Sequence, residues 1–232
     1  MRLTAAVLSL TMLAACSESN QQAEVPEPST SPLPSATSPA NPSPATWDKG
    51  YMAAVANPDA TDAAAAMLAR GGHAVDAAIA AHAVLGLVEP ESSGIGGGGF
   101  MVVYDQGNND VTFLDGRETA PAGATADMFM RDGELMGYLD AWQSGKAAGV
   151  PGTIALYKQA HDKYGKLPWA DLFEPAIRLA SEGFTVTAKM AGYLPQMAQI
   201  TRLDENPGAR EYFYPDGQPL QAGIIKTNPE YA

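Results

Sequence analysis

Between Glu89 and Pro121 the chain reads EPESSGIGGGGFMVVYDQGNNDVTFLDGRETAP, and this stretch limits the possible folds more than any other. Gly94, Gly96, Gly97, Gly98 and Gly99 fall within six successive positions. Each glycine raises the cost of ordering the backbone by roughly 0.5–1 kcal/mol relative to alanine, so this density implies a geometric need: positive φ, or the close approach of neighbouring chain. Two apolar runs follow, Phe100 to Tyr104 and Val111 to Leu114, separated by GlnGlyAsnAsnAsp, a connector suited to a β-hairpin. Both runs are apolar on successive residues rather than alternating, which predicts a sheet buried on both faces.

Helices are expected on either side. Asn57-Pro58-Asp59 marks a helix start, Thr61 to Arg70 is rich in alanine, and Gly71-Gly72 stands where glycine ends helices. A second helix begins near Ala74, with Val75, Ile79, His82 and Leu85 recurring on one apolar face. His73 reads as a cap or surface residue. His82 reads as a hydrogen-bonded core histidine, because no Ser, Cys or acid stands at a spacing that would make it a catalytic partner. Thr153 to Tyr164 reads as a helix ending at Gly165, with His161 on its polar side. Pro168 opens the next helical stretch, Pro175 divides it, and the helix resumes through Ile177, Leu179 and Ala180 to Gly183. Trp142 and Trp169 read as packing residues rather than ligand platforms.

Several functions are excluded. The 232 residues carry a formal net charge of -12 with only 14 Lys and Arg, which argues against nucleic acid as a partner. One cysteine allows neither an internal disulfide nor a cysteine metal cluster, and His73, His82 and His161 have no metal-ligand spacing. Gly94, Gly96 and Gly99 spell GxGxxG, but a helix precedes them and a strand follows, the reverse of the order that places a pyrophosphate on a helix N-terminus.

Residues 1–15, with Arg2 before an apolar stretch, read as a secretory signal rather than a membrane-spanning helix. Leu13-Ala14-Ala15-Cys16 resembles a bacterial lipobox, which implies acylation of Cys16 and a lipid-anchored protein exported to the cell envelope, periplasmic or on the outer surface. Residues 16–46, rich in Ser, Pro, Ala and Thr, cannot bury enough apolar surface to offset ordering entropy and read as a disordered tether. The folded part is expected over residues 47–232. No terminating signal precedes Ala232, so a truncated polypeptide is expected.

The loop after the second strand, Asp115-Gly116-Arg117-Glu118-Thr119-Ala120-Pro121, carries the candidate chemistry. An arginine there can offer its planar fork to a carboxylate through paired charge-assisted hydrogen bonds. It can equally pair with Asp115 or Glu118, and composition alone favours that simpler arrangement.

Taken together, GlyGlyHisAlaValAspAlaAla at 71 to 78, ValGluProGluSerSerGlyIleGlyGlyGlyGlyPhe at 88 to 100, AspGlyArgGluThrAlaPro at 115 to 121, GlyValProGly at 149 to 152 and TyrGlyLysLeuProTrp at 164 to 169 resemble the N-terminal part of the γ-glutamyltransferase family, the glutathione hydrolases. His73 stands where the family commonly has Asn. The resemblance implies an α+β fold, the αββα sandwich of an N-terminal-nucleophile hydrolase, of which this chain holds the N-terminal portion. It implies a self-cleaving precursor whose small subunit begins with a nucleophilic threonine, and substrates such as glutathione or other γ-glutamyl compounds, with no metal or organic cofactor. It assigns Arg117 to the substrate α-carboxylate, reversing the balance set by composition, with Asp115 and Glu118 in support. The threonine is absent from this chain, so the chain alone is expected to be inactive. Two alternatives remain: an acylase of the same fold taking glutaryl side chains, and a non-catalytic lipid-anchored binding fragment.

Overall fold

The computed structural model describes residues 50–232, so the signal, Cys16 and the tether lie outside the described residues. Two helices come first, α1 (Pro58–Ala69) and α2 (Ala74–Val88). At the start of α1 the Asn57 side chain accepts the Asp59 N–H at 2.9 Å, and beyond its end Gly71 turns the chain at φ +83. At α2 the His73 Nδ1 accepts the Val75 N–H at 3.1 Å, while the Asp76 carboxylate accepts the His73 N–H at 2.8 Å. This reciprocal cap confirms the reading of His73.

α2 is the hub of the core. It packs against α1 and against helices that arrive much later in the chain. Burial runs almost around it, taking in Val75, Ile79, Ala80, Val84, Leu87 and Val88, where the sequence predicted one apolar face. Alanine is the reason, since small side chains let neighbouring elements approach from several directions.

The expected hairpin forms from β1 (Gly99–Asp105) and β2 (Asp110–Gly116), antiparallel, with Met101 opposite Leu114 and Val103 opposite Thr112. The Asp105 carboxylate holds the turn by accepting the Gly107 N–H at 2.9 Å and the Asn108 Nδ2–H at 2.7 Å. Burial on both faces is not observed. Val103 and Leu114 are buried, whereas Phe100, Val102, Tyr104, Val111 and Phe113 are 58–66% exposed. Strand side chains alternate between faces, and the helical layer covers only one of them.

A short hairpin follows, β3 (Met130–Arg131) and β4 (Glu134–Leu135), then α3 (Tyr138–Gln143) and α4 (Thr153–Tyr164), the last with the predicted limits. A 3-10 turn at Trp169–Leu172 and α5 (Glu174–Glu182) fulfil the expectation that Pro175 divides this region, since it lies in the first turn of α5. The chain closes with β5 (Phe184–Thr185), α6 (Ala188–Thr201), α7 (Pro207–Phe213) and β6 (Ile225–Lys226), which pairs antiparallel with β5. His161 is not on a polar face as predicted. Its Nε2 lies 2.8 Å from the Leu167 carbonyl and 3.8 Å from the Asp76 carboxylate, because the chain after α4 folds back over it. Trp169 packs edge-on against His161 and Phe173, as expected of a packing residue, whereas Trp142 is 44% exposed and outside the core.

Candidate functional site

Three segments far apart in sequence meet around Arg117. The Gly97 carbonyl accepts the N–H groups of Gly152 and Thr153 at 3.0 and 3.1 Å, joining the glycine loop to the start of α4. Thr119 and Val150 form an antiparallel bridge, with the Val150 N–H donating to the Thr119 carbonyl at 2.9 Å. The loop bearing Arg117 is therefore held by backbone on two sides, at its start by the Gly99–Gly116 pairing of the hairpin and at its end by the Thr119–Val150 bridge.

The glycines make this approach possible. A Cβ on Gly152 would stand 2.1 Å from the Gly116 oxygen and 3.0 Å from the Arg117 oxygen. One on Gly98 would stand 2.5 Å from that same Gly116 oxygen and 2.8 Å from the Glu118 nitrogen. None of the five loop glycines adopts positive φ, and close approach of neighbouring chain accounts for Gly98 alone, since a Cβ on Gly94, Gly96 or Gly99 would meet nothing within 4 Å.

Arg117 leaves β2 with its N–H donating to the Asp115 carboxylate at 2.9 Å. Asp115 thus shapes the loop and is not the guanidinium's ion-pair partner. Arg117 Nη1 lies 3.3 Å from Glu118 Oε2, and the guanidinium carbon stands 5.9 Å from the centre of the Phe100 ring. The pairing with Glu118 that composition favoured is present, but it does not consume the arginine, whose side chain is 55% exposed. A guanidinium has five N–H donors in a fixed fork, so one carboxylate contact leaves donors for a ligand.

Arg117 lines an open cleft of about 400 Å³ together with Glu118, Met128, Phe129, Lys146 and Gly149. Lys146 was not singled out in the sequence. It supplies a second cation; nearby, a hydrogen bond from the Thr125 side chain, then a backbone N–H, and last the Lys146 charge hold the Asp127 carboxyl below its ordinary range. Among the described residues no cluster of His, Cys, Asp or Glu could hold a metal ion.

His82 is far from this chemistry. Its Nδ1 meets the Tyr157 hydroxyl in the core, where burial lowers the imidazole pKa and pushes the phenol well above its usual value. The unfolded imidazole takes up a proton near pH 6.5, the folded one only at lower pH. Stability carried by the neutral ring is therefore whole above about pH 6.5 and is lost as pH falls below it. Thermal unfolding midpoints should fall between pH 7.5 and 5.0, and His82→Gln should flatten that slope; an unaltered slope would remove His82 as its source.

Sequence reasoning also passed over two buried acids. Asp76 is fully buried, and one carboxylate oxygen accepts the N–H groups of His73, Lys166 and Leu167, tying α2 to the turn after α4. The spacing from His73 to Asp76, that of a capping box, was the available signal. Glu89 pairs with Lys189, a hundred residues away, and no local pattern announces such a contact.

The fold, helices layered on one face of an antiparallel hairpin that ends in the arginine loop, is a portion of that of the N-terminal-nucleophile hydrolases. The superposition on solved structures agrees: γ-glutamyltranspeptidase from Helicobacter pylori matches with a TM-score of 0.74 and 32% identity, over 79% of this chain and 52% of that one. The family model for gamma-glutamyltranspeptidase matches residues 60–232, and the chain belongs to that family. Glutathione hydrolase proenzyme of Bacillus subtilis is 41% identical over 176 residues, covering 75% of this chain and 30% of that protein. The proenzyme of Pseudomonas aeruginosa is 45% identical over 191 residues, covering 81% and 32%. The chain thus spans about a third of the length of these relatives.

Proposed function

We propose that residues 16–232 belong to the large subunit of a γ-glutamyltransferase or glutathione hydrolase precursor, anchored in a bacterial cell envelope through acylated Cys16 once residues 1–15 are removed. One observation carries the reading: Arg117 is held by backbone on two sides, yet its guanidinium opens onto a cleft. A substrate α-carboxylate seated there would gain charge-assisted hydrogen bonds of about 1.5–3 kcal/mol each and would be oriented for attack at its γ-amide. Asp115 supports the arginine by fixing its backbone, and Glu118 by holding one edge of its guanidinium.

The attacking group in this reading is a threonine at the head of the small subunit, in the later part of the precursor. Its α-amine, with a pKa near neutrality, takes the proton from Oγ as Oγ bonds to the γ-carbonyl carbon. The amide C–N bond breaks and that proton passes to the leaving nitrogen. Water, or an acceptor amine, then cleaves the γ-glutamyl ester. Residues 1–232 alone should turn over nothing.

The outer face of the first hairpin, with Phe100, Val102, Tyr104, Val111 and Phe113, is the surface we assign to the small subunit. A contiguous apolar face of this kind marks an interaction site, and covering it would restore the two-sided burial that the sequence pattern called for.

The full-length protein should release p-nitroaniline from γ-glutamyl-p-nitroanilide much faster than from glutaryl-p-nitroanilide, which keeps the carboxylate but lacks the substrate α-amine. A preference for the glutaryl compound would replace this reading with the acylase one. No turnover of either by a fully processed protein, with glutamate still bound in calorimetry, would leave a binding protein.

A further inference from the structure

A second cleft adjoins the one that holds Arg117. It has a volume of about 530 Å³ and is lined by Phe129, Leu135, Met136, Tyr138, Ala141 and Trp142 together with Ala147. Phe129 and Ala147 also line the Arg117 cleft, so the two hollows share a wall. Each is within the size range of small-molecule sites, and the second is almost wholly apolar in its residues while the first presents cations.

The residues of this shelf are held in place. The Met136 N–H donates to the Phe129 carbonyl at 2.9 Å, closing the β3–β4 hairpin, whose turn uses Asp132 and Gly133 at φ 53 and 84. Gln143 at the end of α3 donates from Nε2 to the Ile200 carbonyl of α6 at 2.6 Å, fixing the helix to the main body. Arg131 Nη1 lies 3.7 Å from Asp140 Oδ2 at the rim. Tyr138 and Trp142 stand one helical turn apart, their ring centres 6.3 Å from each other and their planes 30° apart, so they offer neighbouring faces to one side. These side chains serve no core: Leu135 is 75% and Tyr138 80% exposed. Aromatic faces left to water on an anchored frame, beside a carboxylate-binding arginine, are placed to take an apolar group on the same ligand.

We propose that this shelf is a specificity subsite, receiving the apolar or aromatic side chain of the amine half of a γ-glutamyl compound whose α-carboxylate is held by Arg117. The proposal rests on the substrate reading above and adds a preference: amino acids with large apolar side chains over glycine or polar ones as the group linked through the γ-amide. Phe129 and Ala147, common to both hollows, form the threshold between the charged end and the apolar end of the ligand.

The test is the ratio of kcat/KM for γ-glutamylphenylalanine to that for γ-glutamylglycine, measured on the full-length processed protein. In Trp142→Ala the ratio should fall about tenfold, the scale of removing apolar contact from a pocket, and Trp142→Phe should recover most of it. Tyr138→Ala, at a position too exposed to matter for folding, should lower the same ratio about threefold. Unchanged ratios in both alanine variants would overturn the subsite. So would an equal fall for both dipeptides accompanied by reduced self-cleavage, which would show that another part of the precursor covers these rings. If the wild-type protein cleaved neither dipeptide, the substrate reading itself would fail and the shelf with it, whereas loss of the ratio alone leaves that reading standing.

Discussion

Replacing Arg117 with alanine in the full-length protein should lower kcat/KM for γ-glutamyl-p-nitroanilide by roughly two to four orders of magnitude while leaving self-cleavage largely intact. The size follows from two charge-assisted hydrogen bonds at about 1.5–3 kcal/mol each, lost where the substrate is positioned. Self-cleavage is spared because the arginine is an exposed side chain on a loop that the backbone holds by itself, through the Asp115 contact and the Thr119–Val150 bridge. Arg117→Lys keeps the charge but loses the fork, and should recover only a small part of the activity. Unimpaired kinetics in Arg117→Ala would remove the arginine from the site. Failure to self-cleave would instead make its role structural.

Gly152→Ala should be nearly as damaging, by a different route. Its new Cβ would fall 2.1 Å from the Gly116 oxygen and 2.7 Å from the Gly116 carbon, both backbone atoms, so no side-chain rotation can relieve the overlap. Either α4 or the Arg117 loop must move. Overpacking of this kind costs about 1–3 kcal/mol of stability. A shift of about 1 Å in a positioning group costs on the order of a hundredfold in rate. Urea denaturation and γ-glutamyl-p-nitroanilide turnover should therefore both report the substitution. Wild-type values in both would mean that the clamp is looser than its geometry. The same substitution at Gly94, whose Cβ would meet nothing within 4 Å, should be far milder.

The elements that sequence reading recovered share a cause. α1, α2 and α4 carry their own boundary signals in Asn57, His73, Gly71 and Gly165, and the first hairpin carries its turn. Local hydrogen bonds decide such boundaries, and the residues that make them are neighbours in sequence. Arg117 was legible because its motif is compact. Lys146 and Trp142 were not: they enter the picture only when the chain between β2 and α4 folds back beside the arginine, and nothing in their immediate neighbours announces it.

The glycine loop shows where the two levels divide. Its composition implied either positive φ or a close approach, but not which. Only the folded chain showed that the close approach is at Gly98, to the carbonyl of Gly116 and the backbone of Arg117 and Glu118. The sequence alone determined the family, the helices α1, α2 and α4 and the first hairpin, since each is written in adjacent residues. Tertiary structure decided which face of the hairpin is open, what holds the arginine and what lies beside it, because those depend on contacts between segments that meet only when the chain has folded.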